Sequence, residues 1–163
     1  MHQAASYVNE KIWIFWDKEF SASVTDYDEQ QLTLEIRHVE SDCPFLLTIV
    51  YTKCIPILRR PLWEVQIHKS ATYDSSWCVI VDFNTIASTE EKIGGIPYQM
   101  NKSMEFLCMI EDYGLVDLGY YGSRCTWPNG RGQYSIVWKR LDRGLANDQW
   151  IAVFPATTIS HLA

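Results

Sequence analysis

The segment from Phe45 to Phe83 constrains the fold more than any other part of the chain. "FLLTIVY" (45–51) is short, continuously apolar and β-rich, which suits a strand buried on both faces. "RPLWEVQIHKSA" (60–71) changes period. Leu58, Leu62 and Val65 fall four and three apart, and Pro61 suits a first helical turn. "SSWCVIVDF" (75–83) returns to an apolar β run. Strand, helix, strand in this order predicts a crossover unit in a layered α/β (α+β) fold.

The flanks supply further elements. "KIWIFWD" (11–17) alternates and reads as a strand, as does "QQLTLEIRHVE" (30–40), where Leu32, Leu34, Ile36 and His38 share one side. That strand is expected to be half-buried, with His38 packed or at an edge and His68 on the solvent side of the first helix. Residues 85–99 read as a loop broken by Gly94, Gly95 and Pro97. "NKSMEFLCMIEDYG" (101–114) predicts a second helix, with Met104, Leu107, Cys108 and Glu111 at helical spacing and its Met and Phe residues as core material rather than a cofactor box. Asn101 or Ser103 is its candidate cap, and Gly114 its stop. Asn129-Gly130, followed by Gly132, signals a hairpin with 135–142 as the returning strand. Asn147 is expected to open a short helix over 147–154, and 156–163 to form a last strand.

A chain of 163 residues, 47% hydrophobic, suits one domain with a real core. The formal net charge of −6 argues against simple phosphate coating, and all of that excess lies in residues 1–100. Against this, Arg124, Arg131, Lys139, Arg140 and Arg143 sit close together with only Asp142 between them. They form either a solvated loop face or a phosphate-contacting strip. Five cysteines without CxxC spacing fit reduced intracellular thiols better than zinc or a disulfide framework. "MHQAASYVNEK" lacks the apolar run of a secretory leader, and no stretch approaches the roughly 18 apolar residues of a membrane span.

Chemistry is expected where the strand "VIV" ends in Asp82-Phe83-Asn84. Ligands of open α/β sheets gather beyond the carboxyl ends of strands. Period-two geometry puts Asp82 and Asn84 on one side and Phe83 in the packing. A carboxylate that orients a water and an amide that donates to a phosphoryl oxygen suit phosphodiester hydrolysis. By itself Asp-x-Asn is also the commonplace signature of an Asx turn.

The order "TIVY", helix, "VIVDFNTI", helix, "TWPNG", "KRLDR" resembles the endonuclease/exonuclease/phosphatase (DNase I-like) superfamily, and most narrowly the endonuclease domain of plant LINE-type retrotransposons. The motifs that carry the resemblance are Val81-Asp82-Phe83-Asn84, Thr126-Trp127-Pro128-Asn129-Gly130, Arg140-Leu141-Asp142-Arg143, Val50-Tyr51 and Leu62-Trp63. The resemblance implies a two-sheet β-sandwich flanked by helices over residues 11–163, with residues 1–10 as an extension. It implies that Asp82 activates water, Asn84 and Tyr51 meet the scissile phosphate, and Asp142 supports a histidine. Trp127, Arg131 and Arg140 would lie along DNA, the implied partner.

Magnesium is the implied cofactor. However, the family's glutamate ligand has no counterpart ahead of "KIWIFWD", and its closing Ser-Asp-His motif is also missing, since His161 lacks the preceding Ser-Asp. No metal ligand is therefore assigned, the domain is expected to be incomplete, and its activity weak or absent. Val81 replaces a glycine and Pro128 a small polar residue, so crowding before Asp82 and an altered hairpin are expected. A non-catalytic remnant that binds nucleic acid or protein is the rival reading. A phosphatase or lipid phosphodiesterase of the same fold is the third. An intracellular location is expected, with the nucleus allowed, and no membrane partner.

Overall fold

The computed structural model describes residues 3–7, 11–41, 43–132 and 134–161. Its strands are β1 (Gln3–Tyr7), β2 (Ile12–Trp16), β3 (Phe20–Tyr27), β4 (Gln31–His38), β5 (Phe45–Tyr51), β6 (Trp77–Asp82), β7 (Lys92–Ile93), β8 (Val116–Asp117), β9 (Tyr121–Gly122), β10 (Trp127–Pro128), β11 (Trp138–Lys139), β12 (Asp142–Ala146) and β13 (Ser160–His161). The helices are α1 (Arg60–Thr72), α2 (Met104–Asp112) and α3 (Asp148–Val153). No described helix is long and apolar enough to cross a membrane.

A six-stranded sheet in the order β3-β4-β5-β6-β12-β8 forms the centre. Its one parallel pair is β5 and β6, joined through α1, which is the predicted crossover. On one face Leu46, Val50, Trp77, Val79 and Leu145 pack beneath Leu62 and Trp63 of α1 and Phe106 and Met109 of α2. On the other face Leu32, Leu34, Ile36 and Ile49 meet Ile12 of β2, while Cys78 and Ala146 meet Trp150 of α3. The sheet is therefore covered on both faces, with helices on one side and the β1–β2 hairpin plus α3 on the other. Residues 3–7, read from the sequence as part of an extension, form the β1 half of that hairpin.

Four local expectations give way, each for a physical reason. Strand β4 is not half-buried, because Gln31 and Thr33 on its second face are buried as well. From the underside of α1, the Lys69 ammonium reaches Gln31 Oε1 at 2.7 Å, Thr33 Oγ1 at 2.8 Å and Asp26 Oδ2 at 2.8 Å. Thr33 meets Thr48, whose hydroxyl accepts from the Trp77 indole at 2.9 Å. A polar layer is tolerated here because its members satisfy one another.

Helix α2 is turned from the stripe of Met104, Leu107, Cys108 and Glu111, and of its Met and Phe residues expected in the core only Met104 lies outside it. Phe106 and Met109 point inward, while Met104 and Cys108 are exposed. A 3-10 turn (Met100–Ser103) leads into it, and the buried Ser103 hydroxyl bonds Thr85 and Tyr98 rather than capping the helix. Gly114 does end the helix, at φ +60°.

The hairpin is wider than Asn129-Gly130 suggested. β10 pairs with β11 only at Trp127–Lys139 and Pro128–Trp138, so the returning strand is two residues long. Asn129 organises the loop from its start: Oδ1 accepts from the Arg131 and Val137 amides, and Nδ2 donates to Ser135 O. Pro128 is accommodated because β10 is an edge strand. Finally, the last strand shrinks to Ser160–His161, with residues 162–163 outside the described part.

The Asn147 cap holds as read, its side chain accepting from the Trp150 amide. The cysteines are free thiols.

Candidate functional site at the strand ends

Three of the residues singled out in the sequence arrive in one row. Tyr51 stands opposite Asp82 in the parallel β5–β6 register, and Asp82 stands opposite Asp142 in the antiparallel β6–β12 register. The next rung is hydrogen-bonded, from the Phe83 amide to Leu141 O at 3.1 Å. Asp82 and Asp142 are therefore a non-hydrogen-bonded pair, the kind in which facing side chains come closest. The row lies at the carboxyl ends of the two parallel strands, on the sheet face opposite α1 and α2.

The loops around the row hold it in place. The Thr52 amide and hydroxyl both donate to Asp82 O, at 3.1 and 3.3 Å. Thr126, at the base of the hairpin, accepts from the Leu141 and Asp142 amides at 3.0 and 3.2 Å. The residue after it is Trp127, so the hairpin is anchored to the strand that carries Asp142. Tyr51 is 42% exposed, with the Lys11 ammonium 5.3 Å from its ring centroid.

Asn84 joins the row by a different route from the one period-two geometry suggests. Strand β6 stops at Asp82, and Asn84 takes a left-handed backbone, φ +50°. Its amide donates to Asp82 Oδ1 at 2.7 Å, which makes an Asx turn, and its Nδ2 donates to Thr52 O at 2.8 Å. One of its two amide hydrogens is thus committed to holding the loop. Phe83 faces away into the core against Trp63 and Phe106, as expected. The Val81 side chain lies outside what is described.

Burial raises the proton affinity of Asp82. The Asn84 amide opposes this, the like charge of Asp142 adds to it, and Arg59 opposes it. Two carboxylates facing each other at a strand end form an unbalanced charge cluster, and such clusters concentrate at functional sites. No group of three or more His, Cys, Asp or Glu positioned to hold a metal occurs among the described residues. Asp82 and Asp142 are nonetheless two hard oxygen donors. Magnesium commonly binds to one or two carboxylates and completes its shell with phosphate and water, so the pair fits such an ion, though with few protein ligands.

Arg59 was not legible as a site residue. Only 6% exposed, it sits at the entry to α1 and donates to Phe83 O, inside the Asn84 turn, at 3.3 Å and to Cys54 O, in the loop after β5, at 3.5 Å. No carboxylate forms an ion pair with it among the described residues, and its Nε has no partner. Desolvation lowers its pKa.

The basic strip divides. Arg140 and Arg143, expected beside the exposed arginines, are buried in a four-charge cluster. Arg140 bonds Glu91 at 2.9 Å and Asp117 at 2.8 Å, and Arg143 bonds the same two acids at 2.7 and 3.0 Å. Arg140, assigned to substrate in the sequence, therefore has its charge matched by Glu91 and Asp117. Arg131 does stay exposed. With Trp127 (40% exposed), Tyr134, Lys92 and Lys139 it lines a cleft of about 490 Å³ in which no acid occurs among the described residues. The Lys139 ammonium lies 5.6 Å from the Trp127 ring centroid.

No protein-family model and no curated protein matches the sequence. Solved structures do match. The endonuclease domain of TRAS1, a telomere-specific non-LTR retrotransposon, superposes at TM-score 0.64 and 12% identity, over 93% of this chain and 68% of that one. A β-hairpin deletion mutant of beta toxin from Staphylococcus aureus gives 0.56 and 12%, over 82% and 49%. A conserved protein of unknown function from Enterococcus faecalis gives 0.53 and 14%, over 90% and 64%. At these identities the likeness concerns architecture, and the chain has the DNase I-like mixed α/β fold.

Proposed function

We propose that the chain is a phosphodiesterase-type domain of retrotransposon descent, from an endonuclease that nicks DNA, and that its turnover is weak. The observation that carries this reading is the row Tyr51–Asp82–Asp142 at the carboxyl ends of the parallel strands, with Asn84 turned in beside it. A carboxylate with raised proton affinity is a better base at neutral pH than an ordinary one. Asp82 can therefore orient and deprotonate a water, while the uncommitted amide hydrogen of Asn84 and the Tyr51 hydroxyl meet phosphoryl oxygens. Magnesium, when bound, would be held chiefly by Asp142, leaving the Asp82 carboxylate free as the base, and would polarise the phosphoryl group. With so few acids to hold it among the described residues, a weakly held ion and slow turnover follow. The narrower placement in plant LINE elements belongs to this proposal and rests on the sequence motifs.

The hairpin cleft is the second support. Trp127 and Tyr134 offer π-faces, while Arg131 and Lys139 offer cations, the combination that binds a nucleic-acid strand. The same cleft also favours the rival reading, a nucleic-acid binder without turnover. Plasmid nicking by the purified protein in magnesium or in EDTA, with Asp82→Ala alongside, separates the two. Slow magnesium-dependent nicking that vanishes in Asp82→Ala is the expected result. Salt-dependent DNA binding without nicking would overturn the catalytic half and leave the binding half.

A further inference from the structure

A second surface, remote in character from the hairpin cleft, runs along α1. The side of the helix bearing Pro61, Glu64 and Val65 faces the β3–β4 turn, which carries Asp28 and Glu29. Two adjoining hollows of about 690 and 560 Å³ share Pro61 and Val65 and form one groove. Its lip is apolar and open: Ile57 is 55% and Leu58 48% exposed.

The walls are acidic, and the groove's own lysines do not cancel them. Lys53 is paired with Glu29 at 3.2 Å and Lys69 with Asp26 at 2.8 Å. Asp28 accepts hydrogen bonds from the Gln30 amide and the Gln31 side chain and shares the field of Lys69 with Asp26. Among the described residues no cation pairs with Glu64. The groove thus carries four carboxylates, Asp26, Asp28, Glu29 and Glu64, against two lysines, beside an apolar lip and in the part of the chain that holds all of its net negative charge. Such a surface repels phosphates and anionic lipids. It attracts a segment that presents apolar anchors flanked by lysine or arginine, and 13 residues of α1 give a wall about 20 Å long, enough for three to four turns of a partner helix.

We infer that this groove is a docking site for a cationic amphipathic segment of a protein partner. The probe is a fluorescein-labelled peptide of about 14 residues, leucine and lysine patterned as an amphipathic helix, titrated with the full chain in an anisotropy assay. Binding is expected at low salt. It should weaken about tenfold in Glu64→Lys and comparably in Leu58→Ser, while Glu111→Lys, an exposed charge reversal on α2, changes it less than about twofold. All three positions are solvent-exposed, and circular-dichroism melting checks that each variant folds. Four outcomes would overturn the inference. They are no binding, equal binding of a peptide with glutamate in place of lysine, and a loss in Glu111→Lys as large as in Glu64→Lys. The fourth is self-association of the wild type in sedimentation velocity that Leu58→Ser abolishes, which would make the face an interface between copies.

Discussion

Two charge clusters lie close together in the fold and are built on opposite rules. In the Glu91–Asp117–Arg140–Arg143 cluster every charge meets two opposite charges, and the Arg143 side chain is fully removed from solvent. At the strand ends Asp82 faces Asp142, its own sign, and the nearby Arg59 is held by carbonyl oxygens rather than by an acid. The balanced cluster contributes order, because each of its members would be a buried lone charge without the others. The unbalanced one keeps charge available. Asp82 holds its proton more tightly than an ordinary carboxyl, and its neighbours oppose each other in their effect on it. The contrast shows why arginines in a motif are poor guides to substrate binding: what distinguishes Arg131 from Arg140 is whether the fold supplies an acid.

The largest expected effect tests the balanced side. Glu91→Gln leaves Arg140 and Arg143 with one carboxylate between them, so urea denaturation should show a loss of about 3–5 kcal/mol. A loss well under 1 kcal/mol would mean the cluster is not an interdependent unit.

Removal of the lone cation comes next. Arg59→Met takes away a desolvated charge together with two long hydrogen bonds, so global stability should move by no more than about 1 kcal/mol. The consequence should be local, with amide exchange at Asn84 accelerating while that in β4 stays unchanged.

Asp82→Asn probes the unbalanced pair through pH. A carboxyl whose folded pKa is raised stabilises the fold while protonated, and that contribution is lost as pH rises from the ordinary value of 3.8 through the folded one. The variant should therefore melt on the order of 2–4 °C above wild type at pH 7. The gap should close as pH falls toward 4, in thermal scans across that range.

The smallest effect concerns the exposed cation. Arg131→Ala should lower the salt slope of DNA binding by about one, and Arg140→Ala, once corrected for its folded fraction, should leave that slope unchanged.

These differences also mark what the sequence could reveal. Strand β5, helix α1 and strand β6 were legible because burial writes itself as period and composition. The strand end at Asp82, the Asn147 cap and the Gly114 stop were legible because local backbone geometry selects those residue types. Other features depend on partners far along the chain. Nothing near Arg140 or Arg143 announces Glu91 or Asp117, and nothing near Gln31 announces Lys69. The phase of α2 is not legible locally, because Met104 and Cys108 are apolar enough to pass for core, while the turn that sets the rotation is fixed by Ser103 meeting Thr85 and Tyr98. Nothing local to Arg59 announces that it is buried. The row at the strand ends needed both kinds of information: its residues from local signals, their adjacency from pairing.

That pairing has a consequence for the time course of folding. The β3–β4 and β4–β5 hairpins join near neighbours in sequence, and β5 reaches β6 through a single helix. Strand β12 meets β6 only after the whole intervening chain has been drawn in, closing the largest loop in the central sheet. Tyr51 and Asp82 can therefore become neighbours early in folding. Asp142 is expected to arrive late, bringing a like charge against a carboxylate already being desolvated. A proton taken up by Asp82 would ease that closing step, so refolding is expected to be faster in mildly acidic solution than at neutral pH.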